Sequence, residues 1–530
     1  MVVSRANIVC MASVLLGISM YLPKVYVFTD TLILPKCYLC LAVLLVWIAC
    51  SSSCTLFNKQ KGKTQHTEHS RFNAATDTIL YATCIECIYA LLHTAICGLP
   101  GIGESGTFDN PAGLAACTAA MLPVAIEKAI GRKGCKSKAL YSLPALLMSA
   151  TIILTKSRTG LLCLSLFVII FLMRMANGSI LLRCTIGMAV MALAIGYTLA
   201  SKKDSTSGRY FILSNTMSLI WEHPIAGHGS NGFERAYMRK QAEYFRLHPS
   251  SRNAMLADDV QHPLNEYAYV WTNHGIVGLL VLLSLFAIPT VAAVRSKDTD
   301  MKTLLLPLLA VAVFCMFSYP LRYPLPCIII AVSVVLAIRH TKAYRWLASP
   351  ANAALSSLSA VTLSIFLLCI LSYNAWYEYR WNEAWRHLRH GSPTALHEYK
   401  DLYSHFQDNR YFLYNYAFAL YSKGEFGDAI GAAERCSRFS DGYNMQLLAG
   451  DAFRMNGKGD SALVHYRMAH TMCPSRLAPL EGMYNTYVAM DSIRSANIIA
   501  AEIQDKKIKI QSPDAIRIKG ACKTINSLTN

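Results

Sequence analysis

Between residues 157 and 279 the chain gathers side chains that could do chemistry. Ser157-Arg158-Thr159-Gly160 comes first, followed by Gly208-Arg209-Tyr210. Next is Trp221-Glu222-His223-Pro224-Ile225-Ala226-Gly227-His228-Gly229, and then Gln261-His262-Pro263-Leu264-Asn265-Glu266-Tyr267. His274-Gly275-Ile276-Val277-Gly278-Leu279 closes the set. Guanidinium forks match anionic oxygens and keep their charge. A histidine, with an ordinary pKa of about 6.5, takes or gives a proton near neutral pH. The types therefore suit holding an anion and moving a proton, provided the fold brings them to one place.

The elements that must do so are membrane spans. Of 530 residues, 54% are hydrophobic and only 15% charged, which excludes a single soluble globular domain. Runs long enough to cross a bilayer are expected at about 7–22, 32–50, 77–98, 111–128, 139–155, 159–175, 179–200, 274–294, 303–319, 325–338 and 354–372. The first follows Arg5 like a signal peptide, but lacks a clean small-residue cleavage site and leads into further spans, so it is read as an uncleaved helix. Charge then sets orientation, because short loops rich in Lys and Arg stay in the cytoplasm. With the N-terminus inside, Lys59, Lys61 and Lys63, then Arg132, Lys133, Lys136 and Lys138, then Arg295, Lys297 and Lys302 fall in inner loops, whereas 99–110 has no Lys or Arg. This alternation accounts for the formal net charge of +18 without nucleic acid. An odd span number leaves the C-terminus outside, so two long segments face outward: 201–264 and everything after about 373.

The expected fold class is all-α: a polytopic bundle of about eleven spans over 1–372, carrying the 201–264 loop, and a helical-repeat domain over 373–530. The repeat is visible in Ala395, Ala429, Ala462 and Ala496, which are 34, 33 and 34 residues apart. Lys423-Gly424-Glu425-Phe426-Gly427-Asp428-Ala429 parallels Asn456-Gly457-Lys458-Gly459-Asp460-Ser461-Ala462, and Pro474 closes that unit. The pattern resembles the tetratricopeptide repeat, whose small residues let paired helices approach closely and whose stacking offers a concave surface for a partner. Cys37-x-x-Cys40 and Cys84-x-x-Cys87 lie in apolar spans with no second pair or histidine beside them, so they read as small hydrophobes. Cys436, Cys473 and Cys522 allow one disulfide and leave a thiol over, with no pairing assigned.

The loop motifs resemble the O-antigen ligase family: a polytopic core, an outer loop opening on an arginine, a His-Pro-x-x-Gly-x-Gly stretch (His223 to Gly229) and a His-x-x-Asn-Glu close (His262 to Glu266). Many members carry a further histidine just before the asparagine, where this chain has Leu264. The resemblance implies transfer of a finished glycan from undecaprenyl pyrophosphate to an acceptor on the outer face of a bacterial cytoplasmic membrane. The acceptor is lipid A core in the ligases, protein Ser or Thr in the O-oligosaccharyltransferases, and a growing chain in the polymerases. It implies Arg158 and Arg209 as holders of the pyrophosphate, His262 as general base, and Asn265, His223, Gly227 and Gly229 as supporting residues, with no metal and no cofactor. Plainer roles stay open for each: Arg158 snorkelling at a helix end, Arg209 or His262 solvated in the loop, His223 and His228 capping turns. Glu86, inside an apolar span, is costly to bury and so is either functional or paired.

Other classes fit less well. Asp298-Thr299-Asp300 has the look of a nucleotide-sugar transferase's metal pair but sits in an inner loop too short to hold a nucleotide. A transporter would concentrate its polar groups at mid-membrane and show inverted repeats, neither of which the sequence has. A scaffold would account for the C-terminal repeats and leave the loop residues idle.

Overall fold

The computed structural model describes residues 5–57, 65–97, 104–131, 134–174, 185–189, 203–339, 341–347, 352–509 and 511–526, with 192, 196 and 349. Every regular element among them is helical. The first six helices are α1 (Arg5–Met20), α2 (Leu34–Phe57), α3 (Gln65–Cys97), α4 (Pro111–Ile130), α5 (Cys135–Leu154) and α6 (Arg158–Arg174). Next come α7 (Lys203–Glu222), α8 (Gly232–Leu247) and α9 (Glu266–Arg295). A second apolar group holds α10 (Thr299–Thr303), α11 (Leu305–Phe317), α12 (Pro324–Arg339), α13 (Lys342–Leu347) and α14 (Ala353–Arg389). The C-terminal helices are α15 (Ala395–Phe406), α16 (Arg410–Ser422), α17 (Phe426–Ser437), α18 (Tyr443–Met455), α19 (Gly459–Met472), α20 (Ala478–Ala489), α21 (Ile493–Asp505) and α22 (Pro513–Asn526).

Ten of the eleven expected spans coincide with a helix, and the run at 179–200 lies largely outside the described residues. Six helical stretches among the described residues are long and apolar enough to cross a membrane: Leu34–Ser53, Phe72–Ile96, Pro111–Ile130, Glu266–Arg295, Thr299–Phe317 and Ala353–Arg389. Met11–Met20, Lys138–Leu154 and Pro324–Arg339 are shorter apolar helices. The protein is thus an all-α polytopic membrane protein with a helical C-terminal region. Two boundaries differ from expectation. The helix expected to begin near 274 starts at Glu266, and the one expected to end near 372 runs unbroken to Arg389. No Pro or Gly lies between 372 and 389 to stop it.

The chain divides into two compact units: Met1–Ser201 with Val281–Tyr379, and Lys202–Leu280 with Arg380–Asn530. Residues 202–264 fall in the second of these units, with the C-terminal helices.

In the membrane unit α4 is the buried centre, packing on α3, α5, α6 and α11. Its start is specified locally: Asn110 caps it by accepting from the Gly113 amide at 2.9 Å, and Pro111 occupies the first helical position, where no N–H is needed. Glu86, 3% exposed, accepts the Thr107 amide at 2.7 Å. Fully buried Lys36 donates to the Thr107 carbonyl at 2.6 Å and to its hydroxyl at 2.9 Å. Lys36 and Glu86 thus both hold the segment leading into α4, and these hydrogen bonds answer part of the cost of burying polar groups there.

In the second unit each C-terminal helix from α15 to α22 packs chiefly on its sequence neighbours. Ala395, Ala429, Ala462 and Ala496 are all buried, each in the first turn of its helix. The fully buried Tyr466 ring fills the space left by Gly450 and Gly482, and a Cβ on Gly450 would come within 2.7 Å of it. Cys436 and Cys473 are buried free thiols.

Candidate active site

The loop begins as a helix. Arg209 lies in the second turn of α7 and is partly buried, whereas the neighbouring Tyr210 is 76% exposed. Phe211 on the same helix packs against Tyr244 and Phe245 of α8, so aromatic packing fixes the helix that carries Arg209. Arg158 is the first residue of α6 and belongs to the membrane unit, while Arg209, His262 and Asn265 belong to the other. In the turn that precedes Arg158, Ser157 Oγ accepts from the Gly160 amide at 3.2 Å, and a Cβ on Gly160 would meet Ile152 at 3.1 Å and Ala115 at 3.2 Å. Gly160 therefore lets α6 start hard against α4 and α5, which fixes where Arg158 emerges.

The His223 to Gly229 stretch has a structural task that its sequence did not disclose. Helix α9 breaks at Gly275, whose φ of 64° is left-handed. A break strands backbone groups on either side, and burying these unpaired is costly. The stretch supplies the partners: the His228 amide donates to the Thr272 carbonyl at 2.8 Å, the Gly229 amide to Asn273 at 2.9 Å, and the Ile276 amide to Pro224 at 2.9 Å. Trp271 Nε1 also donates to the Pro224 carbonyl, at 3.0 Å. Gly227 (φ 70°) lies so close that a Cβ would come within 2.5 Å of the Asn273 carbonyl oxygen, and a Cβ on Gly275 would collide with the Ile225 carbonyl. Gly227 and Gly229 thus serve as docking glycines. His228 is engaged in the same joint, its Nε2 2.9 Å from the Leu219 carbonyl and its ring edge-on to His223 at 4.7 Å. Asn273, 3% exposed, completes it by accepting from the Phe233 amide at 2.8 Å, which sets the start of α8.

His262 sits just before α9, its side chain 19% exposed. Its Nδ1 accepts the Leu264 amide at 2.9 Å. A backbone N–H can only donate, so the neutral ring carries its proton on Nε2, and Nε2 lies 3.7 Å from Glu266 Oε2. Leu264 is held at φ 57°, a conformation that a branched side chain rarely adopts. Asn265 Oδ1 accepts from the Ala268 amide at 2.9 Å, the geometry of a helix N-cap. The Leu264 amide thus fixes the tautomer of the neutral ring, and its Nε2 edge is turned to the Glu266 carboxylate at ion-pair distance.

Other groups join here that sequence reasoning missed. The His262 ring stacks on Tyr269, centroids 4.6 Å apart. Tyr269 donates its hydroxyl to Glu234 Oε1 at 2.9 Å, and Glu234 pairs at 3.2 Å with Arg410 of α16. Next to His262, Gln261 Nε2 donates to Asp259 at 3.2 Å, and Asn444 donates to the other Asp259 oxygen at 3.0 Å. Burial raises the Asp259 carboxyl above its ordinary value, with Arg476 opposing. Glu234 stands next to Arg235 in a polar helix and gives no signal of its own, and nothing near Arg410 in the sequence points to residue 262.

Among the described residues no three His, Cys, Asp or Glu side chains converge as a metal site. Asp300 is 5% exposed and faces His69 at 2.5 Å, apart from Asp298, whose carboxylate caps the start of α10.

Compared with known families, residues 143–283 match the O-antigen ligase family. The match is partial, and it runs from within α5 through Arg158, Arg209, the docking stretch and His262 to α9 beyond its break. Comparison with curated proteins returns no match. The chain is a membrane protein related over that stretch to the O-antigen ligases, a relation consistent with glycan transfer at the membrane.

Proposed function

We propose that the protein transfers a glycan from undecaprenyl pyrophosphate to lipid A core on the outer side of a bacterial cytoplasmic membrane, with the N-terminus cytoplasmic and the tetratricopeptide-like C-terminal helices periplasmic. The observation that carries this reading is that the family match falls on the stretch holding Arg158, Arg209 and the His262–Glu266 pair. In the proposed step an acceptor hydroxyl displaces the Leu264 amide from His262 Nδ1 and gives that nitrogen its proton. Its oxygen forms a bond to the anomeric carbon as the bond to the pyrophosphate oxygen breaks, with inversion. The leaving pyrophosphate takes the electron pair, and Arg158 and Arg209 hold its charge, a task guanidinium forks perform without a metal. Glu266 stabilises the imidazolium that forms, while Asn265, through its cap, and the docking residues His223, Gly227 and Gly229 keep the segment in place.

Purified full-length protein in detergent, supplied with the lipid-linked glycan and with lipid A core and a Ser/Thr-containing protein as competing acceptors, tests this. Product on lipid A core that is lost in Arg158→Ala, Arg209→Ala and His262→Ala is the expected result. Product on the protein, or longer lipid-linked chains, would reassign the acceptor. Absence of transfer by the wild type, or full activity in all three variants, would overturn the reading.

A further inference from the structure

We infer that Arg410, in the C-terminal helical region, is a positioning residue for His262, acting through Glu234 and Tyr269; this rests on the proposal that His262 accepts the acceptor's proton. Arg410 opens α16, and its side chain is 13% exposed against 4% for Glu234. One carboxylate oxygen of Glu234 receives both the guanidinium, at 3.2 Å, and the Tyr269 hydroxyl, at 2.9 Å. Tyr269 in turn presents its ring to His262 at 4.6 Å with the planes 29° apart. A second link runs beside the first: Arg410 Nη1 donates to Gln261 Oε1 at 3.4 Å, one residue before His262. The backbone joins them too, since the Asp441 amide donates to the Glu234 carbonyl at 3.3 Å.

The physical consequence follows from burial. A carboxylate removed from water keeps its charge only with a partner, and losing that partner leaves it to take up a proton or to swing toward solvent. Either outcome changes what Tyr269 donates to, so the ring on which His262 lies loses its fixed orientation. Docking of the C-terminal helices onto the loop does not depend on this pair. Phe233, Tyr237, Met238 and Ala242 share a dry core with Tyr443, Ala469 and Met472, and Gln241 donates to the Met472 carbonyl at 2.8 Å. The role is therefore separable from folding.

The test uses full-length protein carrying Arg410→Gln, Glu234→Gln, both together, or Tyr269→Phe. Two readouts are taken beside protease resistance: the pH profile of His262 modification by diethyl pyrocarbonate, followed by mass spectrometry, and kcat and KM for glycan transfer. Arg410→Gln and Tyr269→Phe are expected to change the His262 modification rate at fixed pH by about threefold or more, equal to about half a pH unit. They should lower kcat about tenfold or more at unchanged donor KM, as displacement of a catalytic group does. The double variant, with no unpaired charge, should recover part of the loss. An unchanged His262 profile in Arg410→Gln, or one that changes only in step with protease resistance, would overturn the inference. If Arg410→Gln does not fold, Tyr269→Phe decides in the same way. Should His262→Ala transfer at the wild-type rate, the functional reading fails, while the modification profile still answers whether Arg410 governs His262.

Discussion

The membrane unit and the loop–C-terminal unit bury polar groups in different ways. In the membrane unit Lys36 and Glu86 both grip Thr107, next to the Asn110 cap, and a further buried carboxylate, Asp300, faces His69. In the second unit buried polar groups join segments remote in sequence. Arg410 meets Glu234, Arg239 meets the fully buried Asp441, and Gln241 reaches the Met472 carbonyl. The difference teaches where each unit's specificity comes from. Apolar length and caps define the membrane helices, whereas the second unit adds several remote polar pairs to the apolar core that docks its helices.

The comparison breaks most visibly at Gly275. Gly275→Val puts a branched side chain at φ 64° against the Ile225 carbonyl, and should undock the His223 to Gly229 stretch at a cost of about 3 kcal/mol or more. Protease cleavage within 222–262 and loss of transfer, with membrane insertion intact, are the expected signs. Asp441→Ala takes the buried acceptor from Gln446 and from the largely exposed Arg239, and should cost the second unit about 1–3 kcal/mol. Its unfolding, read by proteolysis of the C-terminal helices, should move well ahead of the wild type's.

Acid provides a graded version of the same effect. Burial, with Lys506 beside it, lowers His470 to about 4, and burial lowers His465 as well. In the unfolded chain both return to about 6.5. Below that value the unfolded state binds protons that the folded state refuses, so stability is complete above about pH 6.5 and is lost progressively as pH falls toward about 4. A denaturation series from pH 7 to pH 4 following the C-terminal helices should show it, and His470→Gln should flatten it. In the membrane unit Glu86→Gln keeps an acceptor for the Thr107 amide and should cost below about 1 kcal/mol in detergent. A large loss there would erase the distinction between the units. The smallest expected effect is that of a chelator, which should leave glycan transfer unchanged.

Much of this was legible in the chain. Hydrophobic runs marked the membrane helices because the bilayer imposes a length that composition must satisfy. The motif residues drew attention to the right stretch, and the alanine spacing marked helix starts that prove buried. Other features were not legible for specific reasons. Gly227 and Gly229 look like part of a binding motif, yet the Gly229 amide meets the Asn273 carbonyl beside the break in α9, and Gly227 leaves room for that close approach. Asn265 reads as a residue that could orient the base, and the structure gives its Oδ1 the N-cap of α9.

The sequence alone determined that this is an all-α polytopic membrane protein with a helical C-terminal region, because length, period and residue chemistry are local properties. Tertiary structure alone decided which nitrogen of His262 holds the Leu264 amide, and that the ring leans on Tyr269. It alone carried that contact through Glu234 to Arg410. The last of these is a buried charge finding its partner more than a hundred residues away, and no pattern along the chain encodes such a meeting.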